Sequence, residues 1–178
     1  MRRKLVGLAV TALLITGAAR PANAQARGYV GFGAGLSLPV GDFKTCCKLG
    51  WLGQVVAGVT GANGVLGGRI DGMYARNSVK GTGGGSLKLL GVNADLVWTP
   101  GKRPAKVHPY LLGGLGFFNV KSSGAGQTKF AFNFGGGLQI HSGDRMSIFT
   151  EARFISIKSS GGSTNFIPIS VGLRWGGV

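Results

Sequence analysis

The chain has 178 residues and a formal net charge of +15, with 20 Lys and Arg residues against 5 Asp and Glu residues. This length allows one domain and argues against two. Its 35 glycines lack the every-third spacing of collagen and argue against long helices, which glycine weakens. A basic balance of this kind usually indicates nucleic acid, but the start of the chain points to another partner.

The N-terminal segment has the three parts of a secretory signal peptide. A basic head at residues 2–4 precedes an apolar run at 5–15, and Ala22-Asn23-Ala24 supplies the small-x-small cleavage pattern. The run is shorter than the ~20 apolar residues that a membrane-spanning helix needs. We predict a signal peptide at 1–24, cleaved after Ala24, and a mature domain at 25–178. For an exported protein, the phosphates of a membrane surface explain the positive charge better than nucleic acid does.

The mature part alternates between apolar and polar residues with a period of two, in segments separated by turn signals. Each segment has at least the ~9–11 residues of a tilted membrane strand. The eight predicted strands are residues 28–40, 51–61, 65–79, 86–99, 109–121, 129–141, 146–158 and 165–175. An even number of hairpin-connected strands can close without a free edge. The sequence therefore predicts an all-β fold, an eight-stranded antiparallel up-and-down transmembrane β-barrel.

The connections alternate in character along the chain. If the first strand runs outward, the outer connections are residues 41–50, 80–85, 122–128 and 159–164, which are rich in Gly, Ser, Lys and Thr. The inner connections at 62–64 and 142–145 have tight-turn composition. Residues 100–108 form a longer inner connection. Short inner turns and longer outer loops are typical of outer-membrane barrels.

The polar faces of the predicted strands differ from the surface of a soluble sheet, which is the alternative interpretation. They are rich in Gly, Ser, Asn and Gln rather than in Lys and Glu. Three acidic and three basic residues share these faces. We predict that they form a mutually neutralised network inside the barrel, composed of Arg69, Asp71, Asp95, Glu151, Arg153 and Arg174.

Large aromatic residues lie near the ends of the predicted strands, as expected for the two aromatic belts of a membrane barrel. Phe118 is expected in the outer belt, with Phe130 and Phe154. The interface aromatics that we single out are Trp51, Tyr74, Trp98, Tyr110 and Trp175.

Four stretches, at residues 29–35, 109–116, 149–154 and 171–175, give the chain its resemblance to a known family. In this order they resemble the small outer-membrane β-barrel proteins of the OmpA/OmpX type, over essentially the whole mature chain. The resemblance implies a place in the cell outer membrane and dependence on the barrel-assembly machinery. Outer-membrane lipid and lipopolysaccharide are the expected partners of a monomer that binds no nucleic acid and no cofactor.

Cys46 and Cys47 are adjacent in the first outer loop. An exported location permits a disulfide. Three interpretations stay open for the pair: a loop-stiffening disulfide, inert thiols, or another function. The loop offers too few ligands for a metal site.

Basic residues of the outer loops are candidate contacts for lipopolysaccharide phosphates, with simple solvation as the alternative; these are Lys44, Lys48, Lys80 and Lys129. A Ser/His/acid set of Ser142, His141 and Glu151 is disfavoured by its spacing. We therefore expect a structural or surface-interaction role without catalytic residues. The alternatives are a narrow porin-like channel and, ranked last, a lipid-A-modifying hydrolase.

Overall fold

A computed structural model describes residues 26–176, apart from 63, 82–84, 101–105, 123–125, 144 and 160–161. The predicted signal peptide lies outside the described residues. In the described part of the chain, no helix is long and apolar enough to span a membrane.

The fold of the described residues consists of eight antiparallel strands and one short helix. The strands are β1 Arg27–Val40, β2 Cys47–Thr60, β3 Leu66–Val79, β4 Ser86–Trp98, β5 Val107–Lys121, β6 Gln127–His141, β7 Met146–Ser159 and β8 Gly162–Gly176. The helix, α1, is Asp42–Cys46. Each strand pairs with the next, and β1 pairs with β8, so the sheet is a closed barrel. The predicted fold class is confirmed.

The first connection differs most from its prediction. Residues 41–50 were expected as one loop, but α1 occupies the first half and β2 begins at Cys47. The pairing of β2 with β3 shifts between Cys47 and Gly50, which marks a bulge. A bulge interrupts the period of two, so the strand's first residues do not show the expected alternation. Strand β8 likewise begins three residues early, at Gly162.

The alternation of each strand separates an interior face from an apolar outward face. On β4, for example, Leu89, Asn93 and Asp95 are buried, whereas Leu90 and Leu96 are 59 % and 75 % exposed. Exposed Val, Leu, Ile and Phe side chains surround the barrel in the same way. A broad exposed apolar surface is suited to contact with lipid rather than with water. We call the end that carries α1 and the β1–β2 connection the outer end.

Candidate functional site

Five charged residues meet in the middle of the barrel. Arg69 and Asp71 share the interior face of β3, and Asp95 lies directly opposite Arg69 on β4. Glu151 and Arg153 are buried on β7, the strand that lies across the barrel from β3. Closure of the sheet therefore joins residues that are distant in the sequence. We call these five residues the central network.

Each of the two arginines contacts all three carboxylates. Arg69 donates to Glu151 at 2.6 Å and to Asp71 at 3.2 Å, and its contact with Asp95 is 3.3 Å. Arg153 donates to Asp71 at 2.7 Å and to Glu151 at 2.9 Å, and lies 3.3 Å from Asp95. None of the five side chains is more than 5 % exposed. Water and salt therefore screen these attractions little.

Neutral donors complete the central network, because two arginines leave one of three negative charges uncompensated. Each carboxylate accepts a further hydrogen bond: Tyr110 donates to Glu151 at 2.7 Å, Asn93 to Asp71 at 2.9 Å and Asn133 to Asp95 at 2.8 Å. Hydrogen bonds to an ionised acceptor are stronger than neutral ones. The three buried carboxylates therefore have the features that they need: opposite charges nearby and a donor at every carboxylate oxygen.

Two predicted site residues lie elsewhere. The prediction that Tyr110 is an interface aromatic is wrong, because it shares the interior face of β5 with Leu112 and is 6 % exposed. Arg174 faces the interior as predicted but is four residues nearer the inner end of β8 than Ser170, the partner of Glu151. It donates to Gln139 at 2.8 Å, and its guanidinium lies 3.3 Å from the centroid of the Tyr29 ring.

An apolar cluster lies in the outer half of the interior, which the sequence reasoning did not predict. The Phe118 and Phe166 rings pack edge-to-face at 6.0 Å, and both residues are fully buried. Phe118 is therefore not part of the outer aromatic belt. Phe43 of α1 packs against the same buried residues at the outer end of the barrel. This outer apolar cluster consists of Phe43, Cys47, Leu52, Met73, Ala75, Leu89, Phe118, Ala131, Ile155, Ile157 and Phe166.

A small cavity lies within the described part of the interior. Its volume is about 20 Å³, and it lies on the inner side of the central network, between Arg69, Tyr110 and Arg174. This volume has room for about one water molecule. A far larger depression, about 1010 Å³, is open to the outside; its lining includes the outward-facing Val59 and Ile70 and also the interior residues Arg69 and Asp95.

The two cysteines lie where the first outer loop meets the barrel. Cys46 ends α1 and is exposed, whereas Cys47 begins β2 and is buried in the outer apolar cluster. Their sulfur atoms are 2.7 Å apart and are not joined by a disulfide bond in this structure. The disulfide stays a prediction.

The four predicted lipopolysaccharide contacts occupy different surroundings. Lys44, Lys48 and Lys80 lie at the outer end, and Lys80 donates through Nζ to the backbone oxygen of Lys44 at 2.6 Å. Lys129 differs, because it shares the interior face of β6 with Ala131 and is only partly exposed.

The structure does not assemble Ser142, His141 and Glu151 into a hydrolase set. His141 pairs in register with Ser147, and Glu151 is four residues further along β7, a separation of ~13 Å. Ser142 is exposed at the inner turn. The oxygens of Glu151 already accept from two arginines and a tyrosine.

Four interface aromatics lie near the ends of the barrel. At the outer end, the Trp51 and Tyr74 rings are 5.4 Å apart on neighbouring strands. At the inner end, Trp98 is 46 % and Trp175 is 38 % exposed.

A closed barrel with a lipid-compatible surface and a filled, charge-paired interior defines an integral membrane β-barrel. The chain belongs to the outer membrane protein beta-barrel domain family, whose model matches residues 7–175. It is an outer-membrane protein. No curated protein sequence matches it.

Several solved barrels share this fold. Neisserial surface protein A has 17% identity and a TM-score of 0.66, with 83% of this chain and 96% of that chain covered. Ail, the attachment invasion locus protein of Yersinia pestis, has 18% identity and a TM-score of 0.54, covering 84% and 98% of the two chains. The outer membrane enzyme PagL has 16% identity and a TM-score of 0.51, covering 82% and 97%. At these identities the likeness shows the fold alone.

Proposed function

We propose that this protein is a sealed, non-catalytic barrel whose functional surface is its outer end. The observation that carries the proposal is the filled interior. The central network and the outer apolar cluster occupy successive levels of the described barrel. Eight strands enclose only enough space for side chains, so two such layers leave no route for a solute.

The distribution of charge supports a role at the outer surface. Of the chain's five acidic residues, three lie in the central network, and Asp144, which lies outside the described residues, belongs to the connection 142–145 that the sequence predicts at the inner end. Only Asp42 belongs to an outer connection, where it is exposed beside Lys44 and Lys48. A positively charged outer surface attracts polyanions such as the phosphorylated saccharide of lipopolysaccharide.

Single-channel recording tests the seal. Refolded protein that shows a heat-dependent gel mobility shift is added to a planar bilayer, with protein-free detergent as the control. We expect the current to stay at its baseline. Discrete conductance steps that follow the folded protein, and not the detergent, would support the narrow channel and contradict the sealed barrel.

Binding of a defined polyanion tests the surface role. The structure of Ail in complex with the heparin analogue sucrose octasulfate supplies a suitable probe. We expect the triple variant K44Q/K48Q/K80Q to bind sucrose octasulfate at least several-fold more weakly than the wild type in titration calorimetry. A variant with the same charge change at the inner end, R27Q/K106Q/R145Q, is the matched control. Equal binding by wild type and loop variant would contradict a role for these lysines.

A further inference from the structure

Three cations lie side by side on the outward face of the barrel. Arg76 on β3 pairs in register with Lys88 on β4, and Lys88 pairs in register with Lys121 on β5. All three are exposed. Their chain neighbours Ala75 and Leu89 are fully buried, which places the cations on the lipid-facing side. We call Arg76, Lys88 and Lys121 the cationic row.

The arrangement is unfavourable in isolation. Directly opposite residues of an antiparallel pair have Cβ atoms only about 4.5–5.5 Å apart, and like charges in such positions destabilise the sheet. In the described part of the chain, none of the ion pairs includes Arg76, Lys88 or Lys121. Among the described residues, no carboxylate therefore offsets the repulsion.

The cationic row lies at the edge of the apolar band. Trp51 is the register partner of Arg76 on its other side. Two residues further toward the inner end on the same face are Tyr74 and Leu90, about 7 Å away. Beyond them lies Phe117, which is 62 % exposed. Cations beside an aromatic belt are at the depth of the lipid headgroups.

We propose that the cationic row binds the phosphate groups of a phosphorylated lipid in the outer leaflet, whose acyl chains lie against Leu90 and Phe117. A phosphate offsets the repulsion between the cations. The Arg76 guanidinium has the fork geometry that binds two phosphate oxygens, and the lysines act as point charges. This site is separate from the loop lysines of the proposed function.

Lipid A is the probe, because its acylated disaccharide carries two phosphates but lacks the phosphorylated core oligosaccharide that extends further from the membrane. Folded protein in phosphatidylcholine nanodiscs is titrated with bisphosphorylated lipid A, and bound lipid is counted by native mass spectrometry. We expect the triple variant R76Q/K88Q/K121Q to bind about tenfold more weakly or worse, since each cation near an anionic surface contributes to binding. The matched control R27Q/K106Q/R145Q, with the same charge change at the inner end of the barrel, should bind as the wild type does.

Two further arms distinguish the alternatives. Dephosphorylated lipid A should show no preference for the wild type, and inorganic phosphate should not compete at concentrations where lipid A saturates the site. Without lipid A, the row variant should be at least as stable as the wild type, because the repulsion is removed. Equal weakening by both triple variants would overturn the proposal, as would full binding by the row variant. Competition by inorganic phosphate at equal concentration would assign the site to a free anion.

Discussion

Arg69 and Arg153 each contact three carboxylates. Loss of either arginine should therefore destabilise the barrel more than loss of any single carboxylate. Removing one arginine leaves three carboxylates with one cation. Neutralising Glu151 leaves two cations with two carboxylates. The charge count therefore predicts that replacing an arginine lowers the free energy of unfolding more than neutralising Glu151 does.

We expect Arg153→Met to lower the free energy of unfolding by about 3–5 kcal/mol, the cost of leaving buried charges without a partner. Glu151→Gln should cost less, since it keeps most of the hydrogen bonds. Urea unfolding in lipid vesicles, followed by tryptophan fluorescence, measures both. Lys158→Met, at an exposed position of the same strand, is the control. Equal losses from the two network variants would contradict the charge count.

Only glycine fits at position 91, because the space beside its backbone is already occupied. A Cβ atom at this position would overlap the Phe118 ring of the neighbouring strand. We expect Gly91→Ala to destabilise the barrel by about 1–3 kcal/mol through overpacking. Gly53→Ala is the matched control, because a Cβ there meets nothing within 4 Å. Restored stability in the double variant G91A/F118L would identify the overlap as the cause; no restoration would assign it to the backbone.

At the scale of elements, α1 does more than connect two strands. The helix has only five residues, too few to be stable alone, and Phe43 is 4 % exposed among residues of the outer apolar cluster. Packing of the Phe43 ring therefore holds α1 against the outer end of the barrel. Five residues are also too few to show a helical period in the sequence, which explains why the segment was predicted as loop.

We expect Phe43→Ala to lower barrel stability by about 3 kcal/mol or more, the usual cost of truncating a buried Phe. The first outer connection should also become sensitive to protease while the barrel itself stays intact. Limited proteolysis followed by mass analysis measures this, with Lys44→Ala as the exposed control. Unchanged cleavage in Phe43→Ala would mean that the ring does not hold the helix in place.

At the scale of the whole molecule, closure depends on the close approach of β1 and β8. A Cβ atom on Gly35 would overlap the backbone of β8 at Ile169, which cannot move as a flexible side chain can. We expect Gly35→Val to abolish the heat-dependent mobility shift of the folded barrel on detergent gels. Ala34→Val, which faces outward on the same strand, should keep the shift. A normal shift in Gly35→Val would show that the two strands can separate locally without loss of closure.

The sequence by itself determined the number of strands, their approximate bounds and the face on which Arg69, Asp71, Asp95, Glu151 and Arg153 lie. A period of two carries that information, because each residue's face follows from its parity within the strand. Tyr110 and Phe118 have the parity of interior residues on β5. They were nevertheless predicted at the membrane interfaces because they are aromatic, and both predictions were wrong.

Only the tertiary structure decided which residues meet. Parity gives the face on which a residue lies but not its position along the barrel axis. That position depends on strand register and on the closure of β1 against β8. Register separated Arg174 from the central network and aligned Arg76, Lys88 and Lys121 in one row. Closure placed β7 opposite β3, so that Arg153 and Asp71, 82 positions apart, are hydrogen-bonded. The sequence thus determined the barrel and its two faces, whereas contacts across the barrel and between strands came from its three-dimensional closure.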